Sequence, residues 1–342
     1  MLSKSTITKI LINSTLGIIL ILIWLQFVDL SQIVSTISKA NLWPLLIAFV
    51  FMLLSSVVRA IRLKVFLHEV KKIHLKDLIF LNGVAQMLNF FIPIRAGEIA
   101  KGVYLNTHYN LPLGKSVVWV FLDRFVDFLV VLMLAGVLLL IIPTSLNITF
   151  KSDSSQASLI KIIAVIFLAA LAVAYLAIFQ SNFTKKIVNF LKTIFIVNNI
   201  KIYFERFSHF ILESFSILNR HPKDLILLIF ITIIAYIVDA AIWYFTFIAL
   251  GQNQDFLKMY LGQLLSALTY LIPAAPGYIG SAQVSGLLIL SGVFGIEPNL
   301  ASAMIVLFHI SYAVFVIVFG LISVFSLKID LGLIFKKVLK RG

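Results

Sequence analysis

Six mainly apolar runs divide the chain, at about 10–28, 42–67, 113–142, 158–180, 225–250 and 299–326. Each comes near or passes the ~20 residues that an α-helix needs to cross a bilayer, so each predicts a membrane span. Two further segments are apolar but broken. One covers about 75–107 and is interrupted at Pro93 and Gly97. The other covers about 256–294 and is interrupted at Pro273, Pro276 and Gly277. Such breaks predict paired short helices that enter the membrane and leave on the same side. One alternative is a full crossing as two short helices, for which residues 97–107 are too short. Another is that Pro and Gly merely kink ordinary spans.

The two broken segments resemble each other. Displacing the chain by 180 residues places Leu88, Ile92, Pro93, Gly97 and Ile99 on Leu268, Ile272, Pro273, Gly277 and Ile279. Pro112 then falls on Pro298 if the second copy carries six extra residues. The pattern predicts an internal repeat, with a first half over about 42–142 and a second over about 225–326. If both broken segments re-enter, the copies start from opposite sides. Inverted repeats with paired Gly/Pro-interrupted segments point to a transport site near the midplane. The expected fold is therefore an all-α polytopic membrane protein, with about six full spans, two broken re-entrant segments and an inverted repeat. The whole chain, 1–342, reads as a single integral membrane domain, with no soluble domain before or after it.

Polar positions set the orientation. Lys and Arg gather at the start, at 59–76, at 181–224 and in the tail from Lys328, with Lys101 and Lys115 on the same side. The positive-inside rule makes these regions and both termini cytoplasmic, in a cell membrane. Lys39, Lys151, Lys161 and Lys258 fall on the other side. The loop 181–224 is basic and amphipathic, which predicts a helix lying on the anionic inner leaflet or, alternatively, a docking surface.

Composition agrees. Apolar residues make up 61% and charged residues 12%, against roughly 45–50% and about 25% in soluble domains. The net charge of +14 would suit nucleic acid, but its place beside apolar spans suits topology instead. Cysteine is absent, so disulfides and thiol chemistry are excluded. The six histidines are scattered, and no metal, nucleotide or nucleophile motif is present, so no cofactor is expected.

Charges within the apolar segments are the candidate chemistry. Asp123, Arg124 and Asp127 lie in VVWVFLDRFVDFLVVLML, and Asp123 is about 15 Å in from Leu113 at 1.5 Å per residue. Asp123 and Asp127 share a helix face, and Arg124 is placed to pair with either or with Glu98. An ion at the bilayer centre costs at least ~2.5–3.5 kcal/mol, so these must face protein or water, as structural glue or as a transport site. Asp239 and His309 are the single counterparts in the second half. His309 is either a hydrogen-bonded helix contact or a proton carrier. Arg59, which aligns with Asp239, and Arg62 either snorkel to inner headgroups or bind lipid phosphate.

Three motifs carry a family resemblance. PIRAGEIAKG, with Pro93, Arg95, Gly97, Glu98 and Lys101; LDRFVD, with Asp123, Arg124 and Asp127; and PAAPGYIGSAQ, with Pro273, Pro276, Gly277 and Gly280, look like the hallmarks of the flippase-like transmembrane region of lysylphosphatidylglycerol synthases and their stand-alone relatives. The likeness covers about residues 10–328. Tyr278 and Gln283 stand where that family usually has Gly and Glu. The resemblance implies movement of a phospholipid or lipid-linked headgroup between leaflets, not enzymatic catalysis. The aminoacyl-transfer domain of lysyl-lipid makers does not follow here, so lysyl-lipid synthesis is not expected. The expected partners are membrane phospholipids; nothing in the sequence sets an oligomeric state. The alternative is a non-transporting accessory protein for a membrane glycosyltransferase or lipid-modifying enzyme.

Overall fold

The computed structural model describes residues 4–68, 71–92, 96–142, 153–180, 186, 222–269 and 275–329. The basic loop over 181–224 therefore lies outside the described residues, except at Lys186 and residues 222–224, and so does the tail beyond Ile329. The described chain is helical: α1 (Lys4–Trp24), α2 (Leu30–Ser38), α3 (Leu42–Leu67), α4 (Leu75–Phe91), α5 (Ala96–Tyr109), α6 (Leu113–Ile141), α7 (Asp153–Phe179), α8 (Pro222–Ala249), α9 (Phe256–Thr269), α10 (Ser281–Leu287) and α11 (Pro298–Leu327). A 3₁₀ turn over Pro276–Tyr278 precedes α10, and a π-helical stretch over Leu288–Val293 follows it.

Four helices among the described residues are long and apolar enough to cross a membrane: Leu42–Leu67, Leu122–Ile141, Lys223–Ala249 and Pro298–Leu327. The protein is thus an all-helical, multi-pass membrane protein. The runs expected at 10–28 and 158–180 also form helices, α1 and α7. The first run ends at Trp24, not at residue 28. Asp29 then caps an extra helix, α2, its carboxylate accepting the Ser31 backbone N–H at 2.8 Å. Hydrogen bonds from Ser31 and Gln32 hold the exposed Asp29 carboxyl below the usual carboxylate range. α11 starts on a similar device. Pro298 sits in the first turn, where no amide hydrogen is needed, and Glu297 accepts from Asn299 and Leu300 at 2.9 and 2.7 Å.

The first broken segment is a helical hairpin. Gly97 of α5 packs against Ala85 of α4, where a Cβ would stand 2.1 Å from the Ala85 carbonyl oxygen. Had α5 simply continued α4, these residues would be about 18 Å apart at 1.5 Å per residue. Asn89 Oδ1 accepts the Gly97 amide hydrogen at 2.8 Å and so fastens the start of α5 to the end of α4. At the mouth, the Tyr109 hydroxyl donates to the Asp77 carboxylate, returning the end of α5 to the start of α4. Pro93 and Arg95 lie in the break, outside the described residues.

α3 and α8 pack antiparallel. The Asn41 amide donates to the Ala249 carbonyl at 2.7 Å at one end, and Phe66 clusters with Leu228 at the other. The first hairpin follows the end of α3 and the second follows the end of α8, so they start from opposite ends of the molecule. The tips meet in the middle: Gly277, with φ of +71°, faces the Phe90 ring. α11 binds both hairpins through small residues, which let helices approach closely in membranes. Gly320 abuts Met87 of α4, Gly83 of α4 abuts Ser323, and Gly286 of α10 abuts Ile305. α1 seats on the second hairpin, where Gly17 and Gly280 come together backbone to backbone.

Candidate functional site

Ser55, Arg59 and Arg62 recur four and three positions apart on α3, so they share one face. That face meets Asp123 and Asp127 of α6. Arg62 is completely buried; its Nε donates to Asp123 Oδ1 at 2.8 Å, and its Nη1 donates to Asp127. Thr232 of α8 adds an acceptor 3.3 Å from Nη1. A guanidinium this deep tolerates burial only with carboxylate partners in good geometry. Arg62 therefore does not snorkel; it clamps α3, α6 and α8 together.

Arg59, one turn earlier, is bound to α8. Its Nη2 donates to Asp239 Oδ2 at 2.5 Å, and Ser55 Oγ donates to the other Asp239 oxygen at 2.5 Å. Arg59 Nη1 lies 3.6 Å from Asp127. The Tyr236 ring lies beneath the guanidinium at 5.2 Å, a cation–π contact, and its hydroxyl donates to Asp127 at 3.3 Å.

A third group completes the cluster. Arg124 Nη2 donates to Asp123 Oδ2 at 2.8 Å, while its Nη1 stands 3.8 Å from Asp127. Glu98, in the first turn of α5, reaches Arg124 Nε at 3.7 Å and Lys101 Nζ at 3.6 Å. The Arg124 side chain is 31% exposed, whereas that of Asp123 is 4% exposed. Four cations and four carboxylates thus interlock over α3, α5, α6 and α8, and their formal charges cancel.

These groups form one wall of a cavity of about 310 Å³ between the hairpin tips. Arg59, Glu98, Lys101, Arg124, Asp127 and Asp239 line that wall. The facing wall is aromatic: Phe90, Tyr278, Phe308, Tyr312 and Phe315, with His309 among them. Phe90 packs edge-on to His309 and Tyr312, with centroids 6.0 and 6.1 Å away. The space suits a ligand with a polar part and an apolar part.

The second hairpin supplies no ion. Gln283 Oε1 accepts the Gly280 amide hydrogen at 2.8 Å, and its Nε2 lies 3.2 Å from His309 Nδ1. Because the amide oxygen is taken by Gly280, the amide nitrogen donates and His309 Nδ1 accepts. His309 is therefore a hydrogen-bonded contact between α10 and α11. Pro276 and Gly277 form the 3₁₀ turn, while Pro273 lies outside the described residues. Sequence reasoning missed Ser55, Asn89, Thr232 and Tyr236, neutral polar groups on apolar helices. Their one visible trait is position: Ser55 and Tyr236 lie within a helical turn of Arg59 and Asp239.

A family model described as Lysylphosphatidylglycerol synthase TM region matches residues 10–320. No curated protein and no solved structure matches the chain.

Proposed function

The chain belongs to the lysylphosphatidylglycerol synthase TM region family, and from that premise we propose that it carries a phospholipid or lipid-linked headgroup between leaflets of the cell membrane. The observation that supports this is the cavity between the two hairpin tips, ionic on one wall and aromatic on the other. An anionic phosphate drawn into it meets Arg124 and Lys101, whose common counter-ion is Glu98. The phosphate takes the position that Glu98 now fills, in charge-assisted contacts. Arg59, Arg62, Asp123 and Asp127 keep their frame. The protein is a carrier in this reading, not an enzyme, and its basic loops and both termini face the cytoplasm.

The test is the pure protein in vesicles containing a fluorescent phospholipid, with label in the outer leaflet bleached by a membrane-impermeant reductant. Lipid exchange by the wild type, sharply slower for Arg124→Gln and Arg95→Ala, is the expected result. Equal rates in all three would remove the headgroup role. No exchange by the wild type, together with a lipid-modifying enzyme that stays bound through purification, would favour the accessory-protein reading.

A further inference from the structure

The sequence repeat and the ion cluster share a number. Displacing the chain by 180 residues superposes the two broken segments, and the ion pair between α3 and α8 joins Arg59 to Asp239, residues 180 apart. In two antiparallel helices related by a two-fold axis, equivalent residues meet only where the axis passes. α3 and α8 are antiparallel, and Arg59 and Asp239 meet. The surrounding contacts obey the same operation. α4 lies on α11, and its equivalent α9 lies on α6. α3 packs on α4 as α8 packs on α9, and α5 packs on α6 as α10 packs on α11.

We infer that an internal two-fold axis passes through the Arg59–Asp239 pair, and that this pair stays fixed while the two hairpins exchange conformations about it. The inference rests on the transport reading for its purpose. The hairpins already differ in form. In the first, α4 and α5 close on each other at Ala85 and Gly97. In the second, Gly262 of α9 is covered by Trp243 of α8 and by Phe294, while α10 leans away onto Gly17 of α1, through Gly280, and onto Ile305 of α11, through Gly286. One unit is thus present in a closed and a spread form. Two units related by such an axis trade these forms, which turns the cavity from one side of the membrane to the other. Arg59 and Asp239 both line that cavity, so the headgroup is held at the one level that does not move.

The chain has no cysteine, so introduced pairs are its sole thiols. Lys76→Cys/His108→Cys spans the first hairpin mouth. Leu257→Cys/Gly292→Cys spans the second, where a Cβ on Gly292 meets no atom within 4 Å. Leu54→Cys/Ile237→Cys bridges the lipid-facing side of α3 and α8 near the axis. Each pair is spin-labelled for distance measurement, or joined by a short reducible cross-linker, in the full chain in phospholipid vesicles. Two distances at each mouth and one across α3/α8 are expected. Linking either mouth should stop lipid exchange until the linker is reduced, and linking α3 to α8 should not. A single distance at both mouths, or a reversible block from the α3/α8 link, overturns the axis. Should the unlinked protein move no lipid, the transport reading fails and the distances alone decide the axis.

Discussion

Arg62 Nε lies 2.8 Å from Asp123 Oδ1, with the arginine wholly buried and the aspartate side chain nearly so. Removing one partner leaves an uncompensated ion, so Arg62→Ala should lower stability by about 3–5 kcal/mol. Melting in detergent checks this. The double variant Arg62→Met/Asp123→Leu, which removes both charges, should recover part of the loss.

The Arg59–Asp239 pair has a different signature. Arg59→Asp alone sets two carboxylates against each other across α3 and α8, and Asp239→Arg alone sets two guanidiniums against each other. Each should cut lipid exchange by on the order of tenfold or more, since breaking such a pair costs several kcal/mol. Because the pair sits where the two halves interchange, Arg59→Asp/Asp239→Arg should restore exchange to within a few-fold. A double variant no better than the singles would place the requirement in Tyr236 and Asp127, which touch only the arginine end.

Gly97 has no room for a side chain. A Cβ there would lie 2.1 Å from the Ala85 carbonyl oxygen, a backbone atom that cannot step aside. Gly97→Val should force α5 from α4 and cost at least about 1–3 kcal/mol, as overpacking does. The checks are a lower melting temperature and faster proteolysis near the hairpin.

Gln283 locks His309 in one tautomer, since its amide oxygen is spent on Gly280. Lipid exchange by the wild type should therefore be flat between about pH 6 and 8, where an unconstrained histidine would titrate. Gln283→Glu keeps the Gly280 contact but places a carboxyl oxygen at Nδ1, so the pair must then hold a proton between them. Exchange by that variant should acquire a pH dependence over the same interval, and His309→Gln should abolish it.

The hairpins were legible because Pro and Gly are scarce in apolar runs and recur at one displacement. Asp123, Arg124 and Asp127 were legible because ions inside oil are conspicuous. Which ion holds which was not. Arg62 finds Asp123 from 61 residues away, and no periodicity encodes a partner on another helix. Arg59 read equally well as a snorkelling residue until α8 was placed beside it. Asn89 and Tyr236 were invisible for the opposite reason: alone in an apolar helix, a neutral polar side chain looks like any other. The extra helix α2 escaped because five of its nine residues are Ser, Thr or Gln, so no apolar run marks it, and the Asp29 cap was the one local cue.

Trp24 Nε1 donates to Ser302 Oγ at 3.1 Å, across 278 residues of sequence. The closest seat of α1, at Gly280, is made almost as late. At ribosomal rates of about 5–20 residues per second, the first helix waits on the order of tens of seconds for its partner. Through that interval it must persist in the bilayer as an unaccompanied segment. α1 is thus made long before the residues on which it is finally seated.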